Sequence, residues 1–274
     1  MKAKLLVFLL SFLFCFSLLE VYLRIADPWG LSYVHDIDNF YGYYDTQTYA
    51  PDWVITPGQY EYTGSSMSVL ADHTRLVPDT NQTANCTVVA IGDSVTFGMW
   101  VDDEATWVNQ LARNFPEVHF VNAGIPGYES QHIRRMQRRF PDADGYIYLI
   151  VRNDVSKEGF SYKTIAPNSI EFYLTAYFKV AINRALGTEE VYDWPRFWED
   201  IAAIKASGNT LIFTYDDKVS HKIAEHDPEI IPLAWKVEPL SVVDGHPTAA
   251  SHQEAAELMQ PYVAAFLENV CHLE

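Results

Sequence analysis

The sequence predicts an α/β protein. It reads as a three-layer sandwich of about five parallel strands with helices on both faces, behind an N-terminal transmembrane helix and an irregular β-containing arm. Three observations point there. From residue 86 onward, short apolar runs alternate with segments of helical spacing, the pattern of a parallel sheet covered on both sides. Residues 5–19 form an uncharged apolar run. Residues 27–85 are rich in Tyr, Asp, Pro and Ser, unlike either neighbour. The expected divisions are 1–26, a signal anchor or signal peptide; 27–85, an arm packing on the domain; and 86–274, the α/β domain.

The first division rests on "LLVFLLSFLFCFSLL", which Glu20 interrupts and "VYLRIA" continues to Ala26. Fifteen apolar residues suit a signal-peptide core, and Val21–Ala26 would complete a membrane span. No small-x-small cleavage site follows, and Cys15 lacks the small residue before it that a lipoprotein signal needs. An uncleaved anchor is therefore favoured over a cleaved signal and secretion. Lys2 and Lys4 keep the N-terminus cytoplasmic, so the domain is expected on the outer (periplasmic or extracellular) side of the cytoplasmic membrane.

In the arm, Tyr41, Tyr43, Tyr44, Tyr49, Tyr60 and Tyr62 are closely spaced, and "GQYEYTG" and "MSVLAD" alternate enough for short strands. In the domain, strands are expected at 87–91, 118–123, 145–151 and 209–215, with a short fifth at 240–247. Helices are expected at 106–115, 129–140, roughly 170–186 and roughly 195–206. A last helix starts near Ala249, and Pro261 should kink or end it.

The charge excludes one class of partner. With 36 acidic and 19 basic residues, the net charge of −17 repels phosphate backbones, so nucleic acid is not expected. The arginines of "QHIRRMQRRF" read as the solvated face of one helix. His221, His226, His252 and His272 match no metal-ligand spacing, so neither a metal nor another cofactor is expected. Oligomeric state is not set by the sequence.

Ligands of such sheets bind beyond the C-terminal strand ends. Ser94, the "NAGIPGYES" turn, Arg152-Asn153-Asp154, Asp216-Asp217 and Asp244-Gly245-His246 all fall there. A serine hydroxyl needs a base, and a histidine oriented by a carboxylate can serve. Ser94 is thus a candidate nucleophile, His246 its base and Asp244 the orienting acid. The backbone N–H groups of Ser94 and Gly127 and the side-chain amide of Asn153 are candidate oxyanion donors. Trp100, Tyr128 and Arg152 are candidate pocket residues. For Arg152, pairing with a nearby acid is favoured over contact with a substrate anion. His252 competes with His246, but its place inside the last helix should point it away.

"GDSVTFG", "NAGIPG", "ND" and "DGHP" occur in this order and together resemble the SGNH hydrolases, also called the GDSL-type esterases, and in "WVDDEATWVNQL" a membrane-anchored bacterial subgroup. The resemblance covers about residues 86–270. It implies a flavodoxin-like strand order, 2-1-3-4-5, and a serine esterase acting on a short-chain or acetyl ester, small or glycan-linked. By motif, Ser94, Gly127, Asn153, Asp244 and His246 match the family's site. The chain departs from the pattern in reading GDSV, in placing Val151 where the third block has glycine, and in spacing Asp244 and His246 as D-x-H. An O-acyltransferase acting on cell-surface glycans, or a non-catalytic glycan-binding module, are the alternatives. In such a fold Cys86 begins the first strand and Cys271 ends a helix returning to the same edge, so a Cys86–Cys271 disulfide is expected in an exported chain.

Overall fold

The computed structural model describes residues 2–62, 64–156, 172–186, 191–215 and 218–273. In chain order the elements are helices α1 (Lys2–Ala26) and α2 (Leu31–Phe40), strands β1 (Tyr44–Asp45) and β2 (Val54–Ile55), and the hairpin β3 (Gly58–Tyr62) and β4 (Ser65–Val69). Next come β5 (Cys86–Gly92), α3 (Ser94–Phe97), α4 (Trp107–Asn114), β6 (Val118–Gly124), α5 (Ser130–Gln137), β7 (Gly145–Ile150) and α6 (Arg152–Val155). The chain closes with α7 (Tyr173–Leu186), α8 (Trp194–Ala206), β8 (Thr210–Thr214), α9 (Ser220–His226), β9 (Ile231–Pro232) and α10 (Ala249–Val270).

The larger of two compact units comprises Tyr43–Phe160, Glu190–Pro239 and His246–Glu274. Its parallel sheet has the order β6-β5-β7-β8-β9, the expected 2-1-3-4-5. All six residues of β7 are buried, as a central parallel strand covered on both faces requires. Val88 and Ala90 share a buried cluster with Trp107 and Leu111 of α4 and with Ala255 and Met259 of α10. Val89 and Ile91 alternate to the opposite face, and α5 packs against β5 and α8. The helix starts follow capping chemistry: Thr106, Asp193 and Thr248 accept N–H bonds from the first turns of α4, α8 and α10. Cys86 and Cys271 form the expected disulfide, Cα atoms 5.4 Å apart.

The structure corrects three expectations. The fifth strand is Ile231–Pro232, not 240–247. Proline cannot donate to a ladder, and Pro232 fits here because β9 is the sheet edge. The 240–247 segment is instead bent, with the Ser241 N–H donating to the Asp244 carbonyl at 3.2 Å. Pro261 does not end α10, which runs on to Val270. It lies on the exposed face, where water can replace the lost backbone bond. The arginines of α5 are not a solvated face. Arg135 makes a bidentate pair with Asp52, at 2.5 and 2.7 Å, and Arg139 lies 3.9 Å from the centre of the Tyr49 ring. Both fasten the 43–85 segment to α5.

The smaller unit comprises Met1–Gly42, Ser161–Glu189 and Leu240–Gly245. Leu23, Leu31, Ala176, Tyr177 and Val180 form its apolar cluster. The compact units therefore do not follow breaks at 26 and 85. Residues 27–42 and α7 join α1, while 43–85 joins the sheet. Among the described residues, one helix, Ala3–Ala26, is long and apolar enough to cross a membrane.

Candidate active site

The apolar run of β5 stops where Asp93 caps a one-turn helix. Its Oδ1 accepts the Val95 N–H at 2.8 Å, and α3 begins at Ser94. Two glycines make this turn fit. A Cβ on Gly92 would lie 2.1 Å from Thr96 Oγ1, and one on Gly124 would lie 2.3 Å from the Phe97 nitrogen. The end of β6 thus rests directly on α3. Asn122 reinforces the contact, donating from Nδ2 to the Thr96 carbonyl at 2.9 Å.

Solvent reaches this edge through narrow openings. From Val88 to Val101 every residue is buried except Ser94, and from Asn122 to Ser130 every residue is buried except Gly127. Arg152 and Asn153 are half-buried between buried Val151 and buried Asp154. Gly127 has φ +83°, a region glycine enters without steric cost.

Three of the expected residues converge on Asp93. Ser94 Oγ lies 3.4 Å from Asp93 Oδ2, the Asn153 amide hydrogen-bonds the same carboxylate, and His246 is close enough for its charge to act on it. Burial pushes the Asp93 pKa up, while the Val95 N–H, His246, Asn153 and Ser94 oppose the rise. Asn153 Nδ2 also donates to the Tyr128 carbonyl at 2.9 Å, which ties it to the residue after Gly127. Behind them, burial and then the charge of Asp93 push Asp154 well above the usual carboxylate range, against the Val151 N–H at 2.8 Å.

Asp244 lies in the smaller unit, where its N–H donates to Ser241 Oγ at 2.9 Å. Trp100 is buried at φ +64°, its ring 5.5 Å from that of Tyr62. Tyr128 is buried too, and its hydroxyl donates to the Trp53 carbonyl at 2.5 Å. Arg152 opens α6. Asp216 and Asp217 lie outside the described residues. The competing His252 is fully buried in α10. Its Nδ1 accepts the Trp107 N–H at 3.3 Å, and burial lowers its pKa to about 3, so it stays neutral in the core. Among the described residues, no group of three His, Cys, Asp or Glu is placed to hold a metal ion.

Sequence reasoning missed two contributors. Trp53 places its ring 3.4 Å from where a Gly127 Cβ would stand, and its Nε1 donates to the Pro126 carbonyl at 3.1 Å. Arg75 is fully buried and donates to the Phe97, Gly98 and Val101 carbonyls, closing the turn behind Ser94. The one hint was a lone base in the apolar "TRLV", with acids following Trp100.

No protein-family profile and no curated protein matches the chain. Solved structures do. A putative lipolytic protein of the G-D-S-L family from Desulfitobacterium hafniense DCB-2 is 16% identical, with a TM-score of 0.42 over 65% of this chain and 99% of that one. The psychrotrophic esterase EstA from Pseudoalteromonas sp. is 12% identical, with a TM-score of 0.43 over 67% of this chain and 100% of that one. A carbohydrate acetylesterase family member from Sinorhizobium meliloti is 12% identical, with a TM-score of 0.40 over 66% and 99%. The chain is similar to lipolytic proteins and esterases of the G-D-S-L, or SGNH, type.

Proposed function

We propose that this chain is a membrane-tethered, exported serine esterase of the SGNH type. The convergence of Ser94, Asn153 and His246 on Asp93, with Ser94 the one solvent-reached residue of its segment, carries the reading. Ser94 Oγ attacks the acyl carbonyl while His246 takes its proton, and Asp244 orients His246. The alcohol leaves with that proton, and water then releases the acid by the reverse path. The Ser94 and Gly127 N–H groups and the Asn153 amide stabilise the oxyanion. The amide N–H that rests on Asp93 is the donor available to turn to it. No cofactor takes part.

Two observations support the finer points. The openings at Ser94 and Gly127 are single residues wide, which favours a short acyl group such as acetyl, free or glycan-linked. A Cys86–Cys271 disulfide persists in oxidising compartments, which fits export behind an α1 anchor. The test is hydrolysis of a panel of acetyl, butyryl and longer p-nitrophenyl esters beside acetylated polysaccharides. Ser94 should be labelled by a fluorophosphonate, and the shortest esters should turn over fastest. Acyl transfer to glycan exceeding hydrolysis would replace the esterase with an O-acyltransferase. No labelling of Ser94 would leave a binding module.

A further inference from the structure

Glu20 is an acid inside an otherwise apolar helix, and the structure gives it a partner. It is 7% exposed, whereas most of α1 is open. Its Oε1 accepts the Tyr173 N–H at 2.9 Å and its Oε2 accepts the Leu174 N–H at 3.2 Å, while Arg24 Nε donates to Oε1 at 2.7 Å. These are backbone donors of the first turn of α7, which no helical carbonyl can serve. In hydrocarbon no water can serve them either, so a capping carboxylate is what lets a helix begin there.

The two helices meet along their length. Deeper than Glu20, the Phe16 and Phe172 rings meet edge-on with centroids 5.3 Å apart. At the other end, the Tyr177 hydroxyl donates to Asp27 Oδ1 at 3.2 Å and accepts the Trp29 N–H at 3.1 Å. Phe16 and Asp27 are eleven residues apart, about 16 Å along a helix. One face of α7 packs Ala176, Tyr177 and Val180 with Leu23 and Leu31. The other presents Phe178 and Ile182, one turn apart and 61% and 55% exposed, with Phe172 before them at 52%. A helix apolar all round does not belong at a water-facing surface.

We infer that α7 is a second membrane-embedded element, its Phe172, Phe178 and Ile182 face covered by lipid acyl chains in continuity with the surface of α1. The inference rests on the reading of α1 as a retained anchor.

The test uses the full chain in phosphatidylcholine–phosphatidylglycerol vesicles, with Cys15→Ser and a nitroxide attached at Leu13→Cys, Phe178→Cys, Ile182→Cys or Glu268→Cys. Labels at 178 and 182 should match 13, accessible to oxygen and shielded from an aqueous nickel chelate, while 268 shows the reverse. If 13 is in lipid but 178 and 182 are open to nickel, the inference fails and the anchor stands. If 13 itself is in water or has been cleaved off, the anchor reading fails. Labels shielded from both reagents and broadened by one another would mean a second copy covers the face, which also overturns it. In the unsubstituted protein, a diazirine-bearing phosphatidylcholine should label peptides spanning Phe172–Ile182. Labelling confined to α1 would refute the proposal without any variant.

Discussion

Arg75 donates from Nε to Asp103 Oδ1 at 2.9 Å, with its side chain wholly removed from solvent. The same guanidinium serves three carbonyls of the Phe97–Val101 turn, so one buried charge holds the loop that carries Ser94. Breaking a buried pair leaves an uncompensated charge, which costs about 3–5 kcal/mol. Asp103→Ala should therefore lower urea stability by that order. Arg75→Lys should also destabilise, because a lysine cannot span the same carbonyls.

Ser94→Ala and His246→Ala should each lower kcat at least about a thousandfold. Thermal melting should stay within a few degrees of the parent, since Ser94 is partly open and neither change removes a core side chain. Unchanged ester hydrolysis by both purified variants would end the esterase reading.

Asp154 predicts a pH dependence with a definite sign. Its folded pKa is raised, by burial first and then by Asp93. Above the unfolded carboxylate pKa, near 4, the unfolded chain releases this proton and the folded chain keeps it. Stability then falls as pH rises towards the folded pKa. Asp154→Asn keeps an acceptor for the Val151 N–H and removes the ionisation. Thermal melts from pH 5 to 8 should therefore slope less steeply for the variant, with its advantage largest at the alkaline end. Parallel slopes would refute the assignment.

Trp53 stands over Gly127, where the acyl or alcohol part of a substrate would pass. Aromatic contacts are worth about 0.5–1.5 kcal/mol, so Trp53→Ala should raise KM roughly two- to tenfold and leave kcat nearly unchanged. Steady-state kinetics on acetyl esters with small and ring-bearing alcohols separates the two effects.

Cys271→Ser opens a loop closed across 185 residues. The expected loss is about 2–5 kcal/mol in urea unfolding, with Ser94 labelling retained under native conditions. Equal stability of oxidised and reduced protein would contradict it.

Much of this molecule was legible without coordinates. The strand positions of β5 to β8, the edge on which Ser94, Gly127, Asn153 and His246 fall, and the pairing of Cys86 with Cys271 followed from local periodicity and from the rule that ligands sit at C-terminal strand ends. Those features depend on short-range chemistry: a β-branched run, a capping Asp93, a glycine where no side chain fits. What only the tertiary structure decided has long sequence separation. The fifth strand is two residues ending in proline, defined by its neighbour β8 and not by its own propensity. The arginines of α5 look solvated until Asp52 and Tyr49 arrive from the preceding segment. Arg75 and Trp53 carry no motif, and their roles come from the carbonyls and the glycine brought to them. Glu20 reads as a flaw in an apolar run until α7, some 150 residues later, places its unpaired N–H groups against it. A buried charge or an orphan donor is settled by whichever group folding brings near, and spacing along the chain does not record which group that is.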